Sequence, residues 1–261
     1  MAKISTDLLS QMTGTTSASI TTGSIRTSGT DRRVNPVFSL IIPAYNEEGR
    51  IASLLDSLPD QDGEYIIVCD GTDRTADLVE RFATLHPELS IRCLRYTRRL
   101  GKGGGVREGL KAASAPRVGF MDADCSTSVG DIMRLFTIIG DSDGVIGSRW
   151  IEGAELIMPQ GLLRRLQSRG FNHLIRLLFR LPYRDTQCGA KVFLKAAIDT
   201  VLPCMKSSGF EFDVELLWRL RNAGFIIREV PIRWQNNKDT RVKSVDMIPM
   251  VAGLLRVRFG G

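Results

Sequence analysis

Asp122-Ala123-Asp124 places two carboxylates one residue apart at the end of an apolar run, Val118-Gly119-Phe120-Met121. Such a run reads as a buried strand, and open α/β sheets bind ligands at the carboxyl edge of their strands. Two carboxylates so spaced on an extended segment can share one divalent cation. Hard cations such as Mg²⁺ take oxygen ligands and bind through one or two carboxylates plus phosphates. A nucleoside diphosphate would fill the remaining positions. Two acids at a strand end also suit a solvated turn, so the neighbouring loops decide.

Three such loops precede it: Pro43-Ala44-Tyr45-Asn46-Glu47-Glu48, Asp70-Gly71-Thr72-Asp73 and Gly101-Lys102-Gly103-Gly104-Gly105. A base needs a flat apolar surface and a hydrogen-bond acceptor, which Pro43, Tyr45 and Asp70 supply. Phosphates need a cation and positive charge. Asp124 would hold the first, and Lys102, Arg149 and Arg241 supply the second. The glycine loop is not GxxxxGK[ST], because no Ser or Thr follows Lys102. Nor is it GxGxxG, since Val106 falls where the third glycine belongs. P-loop NTPases and NAD-dependent dehydrogenases thereby lose their main support.

The elements that must position these loops alternate. Strands are predicted at 38–42, 65–69, 91–96 and 118–122. Helices are predicted from Asn46, as cap, to about Leu58, from Thr72 to about Leu85, and over 103–113. Strands separated by helices of this length imply βαβ units and a mostly parallel sheet. A short strand at 144–147, a helix over 210–222 and strands over 225–230 and 232–234 follow. Residues 156–184 carry six arginines and no acid. Their leucines and arginines alternate as in a basic amphipathic helix, which suits an anionic membrane surface or, equally, a core helix with a solvated face.

The chain has 261 residues and a net charge of +6, which favours an anionic partner. Residues 1–30 contain 17 Ser, Thr or Gly. That composition cannot bury a core, so 1–34 reads as a flexible tail and 35–261 as one domain. Five cysteines without a CxxC pair suggest neither a disulfide framework nor zinc, and point to a reduced cytoplasmic setting. No run of about 18 apolar residues predicts a membrane span. His86 and His173 are too few and scattered for acid-base or metal chemistry.

Taken together, the loops resemble the family 2 glycosyltransferases of GT-A fold, over about residues 37–245. Within that family the pattern is similar to the polyprenyl-phosphate group, the dolichyl-phosphate mannose synthases and β-glucosyltransferases. It is carried by PAYNEE at 43–48, CDGTDRT at 69–75, GKGGGVREGL at 101–110, DADCS at 122–126 and GSRW at 147–150. RRLQSRGFN at 164–172, RDTQCGAKVF at 184–193, FDVELL at 212–217 and EVPIRW at 229–234 complete it. The resemblance implies an α/β GT-A fold with a mixed, mostly parallel sheet and helices on both faces. It implies nucleoside contacts at Pro43, Tyr45, Glu47 and Asp70, and ribose and Mg²⁺- or Mn²⁺-bound diphosphate at Asp122, Ala123 and Asp124. Arg149 and Arg241 match donor-phosphate positions, and Arg164 and Ser168 the acceptor phosphate. The chain departs from the family's pattern at Cys69, which stands for an Asp, before Asp73, where one residue is missing, at Ser126, which stands for a Gln, and at Ala190, which stands for an aromatic residue.

The reaction so implied is displacement at an anomeric carbon, with inversion, from a UDP- or GDP-linked hexose to a polyprenyl phosphate. An acceptor phosphate is already ionised at neutral pH and needs no strong base. A soluble or glycan hydroxyl would need one, with Asp213 and Asp185 the candidates, although Asp213 also suits a plain helix N-terminal acid. Peripheral membrane contact is expected, and nucleic acid is not. A non-catalytic nucleotide- or RNA-binding module rests on charge alone and lacks the aromatic-studded basic motif of such modules.

Overall fold

The structure, a computed structural model, describes residues 27–28, 35–157, 170, 172–173, 175–235 and 247–259. Its centre is an apolar segment that alternates sides. In strand β2 (Phe38–Ala44) Leu40 and Ile42 enter one core and Ile41 the other. In β3 (Gly63–Cys69) Tyr65 and Ile67 oppose Ile66 and Val68 in the same way. Both faces are therefore covered, as near-continuous apolar strands require.

Ten strands are described. Besides β2 and β3 they are β1 (Thr27–Ser28), β4 (Ser90–Arg95), β5 (Arg117–Phe120), β6 (Gly144–Ser148), β7 (Glu155–Leu156), β8 (Lys191–Leu194), β9 (Ile227–Pro231) and β10 (Arg233–Trp234). The main sheet runs β1-β4-β3-β2-β5-β8-β6-β9. Strands β4, β3, β2 and β5 pair in parallel, as do β6 and β9. Strand β8 is antiparallel to both β5 and β6, and β1 is antiparallel to β4. Strands β7 and β10 form a separate parallel pair. The expected mixed, mostly parallel sheet is the one found. After β2 the chain builds outward through β3 and β4, then crosses back to β5. That reversal opens a crevice at the carboxyl ends of β2 and β5.

The described helices are α1 (Ile51–Asp56), α2 (Thr75–Leu85), α3 (Lys102–Ala112), α4 (Val129–Ile138), α5 (Lys195–Val201), α6 (Phe212–Asn222) and α7 (Met247–Phe259). Helix α1 corrects the expectation of a helix capped by Asn46. Asn46 adopts φ +53, and its side-chain oxygen accepts from the N–H groups of Thr72 and Asp73 at 2.8 and 3.3 Å. The Glu47 N–H donates to Thr75 Oγ1 at 2.8 Å. Residues 46–50 are thus used to join two loops, and the helix begins only at Ile51. The same joint delays α2 from Thr72 to Thr75, whose N–H and hydroxyl donate to Asp73 Oδ1 at 3.0 and 2.6 Å. The strand expected to reach Asp122 ends at Phe120, which leaves both aspartates on a loop.

Candidate active site

Four loops meet at the carboxyl edge of β2, β3 and β5. Asp70, 7 % exposed, directly follows β3 and ties down the glycine loop: its Oδ2 accepts from the N–H groups of Leu100 and Gly101 at 2.7 and 3.1 Å. Gly101 has φ +76, and a Cβ there would lie 2.5 Å from the Ser208 carbonyl oxygen. Only glycine serves such a position. Helix α3 therefore starts flush against the 205–211 loop, with the Gly104 N–H donating to Ser208 O at 3.0 Å. In the first loop Tyr45 carries the Arg99 guanidinium 3.4 Å from its ring centroid. The Glu47 carboxylate takes both Arg50 Nε and Arg50 Nη2.

Lys102 is the first residue of α3, so its side chain lies over the loop after β5. Its Nζ is 2.8 Å from Asp122 Oδ1 and 3.2 Å from Asp213 Oδ2. Asp213, in the first turn of α6 and 2 % exposed, gives its other oxygen to Lys191 Nζ at 2.5 Å. Lys191 lies on β8, wholly buried, and also donates to the Cys188 carbonyl. The Asp122 carboxylate packs against Gly189, where a Cβ would lie 2.1 Å from Oδ2. Asp124 Oδ1 accepts from the Ser126 N–H at 2.9 Å. Burial, then the charge of Asp122, pushes the Asp124 carboxyl above its ordinary value. The loop thus gathers negative charge in a partly desolvated place.

These residues fit a hard divalent cation. Burial and the Asp122 charge oppose ionisation of Asp124, and a cation shared by the two carboxylates would relieve that repulsion. Among the described residues no three His, Cys, Asp or Glu side chains gather as a metal cage. Asp122 and Asp124 would supply its carboxylate oxygens, and phosphate oxygens would complete the shell.

Arg149 follows β6 on the same edge. Its Nε and Nη2 donate to Asp185 Oδ2 and Oδ1 at 2.7 and 2.9 Å, and its N–H donates to Oδ2 at 3.0 Å. The side chains are 15 % and 1 % exposed. Burial alone would raise the Asp185 carboxyl, but the Arg149 charge and hydrogen bonds hold it below the usual carboxylate range. Burial would likewise raise Asp213, but Lys102 and Lys191 hold it low. A carboxylate held low by cations on both oxygens is a poor proton acceptor. That argues against Asp185 and Asp213 as bases. Cys188 lies nearby, its thiol pushed up to about 12 by burial and then by Asp185, so it is no thiolate nucleophile at neutral pH.

The structure brings Pro43, Tyr45, Glu47, Asp70, Lys102, Asp122, Ala123, Asp124, Arg149, Asp185 and Asp213 to one edge of the fold. Arg164, Ser168 and Arg241 lie outside the described residues. Lys191 and Gly189 were missed as site residues. The signal for Lys191 was a single lysine inside an apolar run, Ala190-Lys191-Val192-Phe193-Leu194; a buried charge is expensive unless paired. His86 stacks on Phe82 and meets Glu88 at 3.0 Å, away from these loops.

The 205–211 loop that seats the glycine turn is itself held by Glu215, fully buried on α6. Glu215 accepts from the N–H groups of Lys206 and Ser207, the Ser207 hydroxyl and Arg219 Nε. Burial raises its carboxyl, but these bonds hold it below its ordinary value. Its stabilisation is therefore complete above the unfolded value of about 4.3 and drains as pH falls through the lower folded one. Glu215→Gln is expected to cost about 2 kcal/mol at neutral pH. The gap from wild type should narrow in urea melts at about pH 3, below the unfolded value.

A mostly parallel sheet with one inserted antiparallel strand, and a carboxylate pair facing a glycine-led helix, is the architecture of the GT-A glycosyltransferases. The solved structures bear this out. A mannosyltransferase from Pyrobaculum calidifontis, determined with GDP-Man and Mn²⁺, is 19% identical with a TM-score of 0.59, covering 91% of this chain and 66% of its own. Glucosyl-3-phosphoglycerate synthase from Mycobacterium tuberculosis, determined with Mn²⁺, UDP and phosphoglyceric acid, is 19% identical with a TM-score of 0.61, covering 86% and 79%.

The chain belongs to glycosyl transferase family 2, whose profile matches residues 39–202. Dolichyl-phosphate beta-glucosyltransferase ALG5C of Trichomonas vaginalis is 32% identical over 84% of this chain and 70% of its own length. The Dictyostelium discoideum dolichyl-phosphate beta-glucosyltransferase is 30% identical over 86% and 75%. Glycosyltransferase AglD of Haloferax volcanii is 31% identical over 84% of this chain, which spans only 36% of that relative.

Proposed function

We propose that this protein transfers a hexose, with inversion, from UDP-glucose or GDP-mannose to a polyprenyl phosphate of the dolichyl type. The observation that carries this reading is the state of the two buried acids. Asp185 is neutralised by the Arg149 guanidinium, which spans both its oxygens, and Asp213 by Lys191 and Lys102 on one oxygen each. The site therefore suits an acceptor that arrives already ionised, as a lipid monophosphate does with a second pKa near 6. The names of the relatives, dolichyl-phosphate beta-glucosyltransferases, point the same way.

Asp122 and Asp124 would hold Mg²⁺ or Mn²⁺, which offsets charge on the leaving diphosphate. Lys102 binds the diphosphate beside it. Arg149, fixed by Asp185, presents a guanidinium of set orientation to donor phosphate, and Arg241 supplies a second. Pro43, Tyr45, Glu47 and Asp70 line the nucleoside end. Arg164 and Ser168 orient the acceptor phosphate for in-line attack. The protein works at a membrane face as a peripheral protein. Leu177 and Phe259 are 73 % and 70 % exposed, and Arg258 Nε donates to the Leu178 carbonyl at 3.3 Å, joining α7 to the helical residues 175–179. Helix α7 contains two arginines and no acid. Exposed apolar side chains among arginines suit anionic lipid. Among the described residues no helix is long and apolar enough to cross a membrane.

The pH profile tests the acceptor. With a polyprenyl phosphate, kcat/KM should rise to a plateau through about pH 6, the second ionisation of the acceptor. A phosphonate acceptor of higher pKa should move that limb upward, and Arg164→Ala should lower the plateau without moving it. A limb that stays in place with both acceptors would mean an enzymic base and return the hydroxyl-acceptor reading.

A further inference from the structure

We infer that Asp213 and Lys191 are positioning residues that hold Lys102 as a built-in counter-cation on Asp122, where it competes with metal until a diphosphate arrives. The inference rests on the proposed donor site. Four charges alternate in one chain of contacts: Lys191, Asp213, Lys102 and Asp122, at 2.5, 3.2 and 2.8 Å. The inner pair is sealed, at 0 % and 2 % exposed, and the outer pair opens outward, at 14 % and 35 %.

A buried ion pair is weak evidence for stability, because apolar residues of like size often do as well. This one does something an apolar pair would not. Asp213 has one oxygen for each lysine. Lys191, also held by the Cys188 carbonyl, fixes Asp213 from behind. Asp213 is then a stationary anchor for the ammonium of Lys102. The lysine stem is flexible and its ammonium is a compact point charge, so it can pivot on Asp213 from Asp122 to a phosphate oxygen. Gly189 packs against the far side of Asp122, which keeps the carboxylate from following.

Metal alone thus meets an Asp122 that is already neutralised. Metal with a nucleoside diphosphate brings oxygens that draw Lys102 away and free the carboxylate. Metal and nucleotide should therefore bind cooperatively, with Lys102 the coupling element.

The test is titration of the whole chain with Mn²⁺, read as free Mn²⁺ by electron paramagnetic resonance, alone and with UDP or GDP. Lys102→Met should raise affinity for Mn²⁺ alone by about tenfold, as expected for removing one adjacent charge. It should lower nucleotide affinity in the presence of Mn²⁺ by a similar factor. Lys191→Met combined with Asp213→Asn keeps the net charge and removes the anchor. It should weaken nucleotide binding, and adding Lys102→Met should weaken it no further. A structural lesion would lower both affinities together, and that result with Lys102→Met, or an unchanged Mn²⁺ affinity, overturns the inference. Lys102→Met decides even if the double variant does not fold. Asp124→Asn separates the levels: unchanged Mn²⁺ binding there would fail the donor-site reading itself.

Discussion

Asp124→Asn is expected to lower sugar transfer by about a hundred- to a thousandfold, the size typical of removing one electrostatic stabiliser of a transition state. The melting temperature should stay within a few degrees of wild type. Both expectations come from the same geometry. Burial and the charge of Asp122 oppose ionisation of Asp124, so neutralising it relieves repulsion in the unliganded fold. Asparagine keeps an oxygen for the Ser126 N–H that Asp124 Oδ1 now accepts. What it loses is the charge that would hold a divalent cation against the departing diphosphate. Initial rates beside thermal melts check this, and transfer within about fivefold of wild type would remove Asp124 from the chemistry.

Arg149→Met is expected to be costly for a different reason. It strands Asp185, 1 % exposed, as a buried carboxylate without its cation. Breaking a buried pair by removing one partner costs about 3–5 kcal/mol. For a chain of this size that is a fall of about 10 °C in melting temperature. Adding Asp185→Asn removes the stranded charge and should restore most of the loss. It should not restore transfer, because the guanidinium proposed to face the donor is still missing. Calorimetry on the three proteins reads the first effect, and initial rates the second. A single variant that melts with wild type would mean that water reaches Asp185 and the pair is not buried.

The sheet was legible because its strands are apolar on both faces. Leu40, Ile41 and Ile42 read as strand whichever side they serve. Loop order was legible for a similar reason: each loop directly follows such a run. What resisted reading was decided by contacts far apart in sequence. Asn46 has the chemistry of a helix cap, and only the approach of Thr72 and Asp73 diverts it to a loop joint. Helices α4 and α5 and strand β8 went unassigned within the less regular second half. Strand β8 is short and antiparallel, between β5 and β6, and no local pattern announces an inserted strand. Asp213 and Asp185 stand as candidate bases for a hydroxyl acceptor only because a sequence shows acids without their counter-cations. Their partners, Lys191 and Arg149, lie 22 and 36 residues away. Helix α7 carried no signal in the reading of the chain, yet it forms the surface beside residues 175–179.

The central claim is transfer of a hexose from a nucleotide to a lipid phosphate. Its most direct test is incubation of the protein with labelled UDP-glucose or GDP-mannose, a short polyprenyl phosphate and Mg²⁺ or Mn²⁺, followed by counting label in the lipid phase. The expected result is metal-dependent lipid-phase label from one of the two donors, lost in Asp124→Asn. Label that stays in the water phase with every lipid acceptor, while the donor is still consumed in the presence of metal, would contradict the account and point to a soluble acceptor.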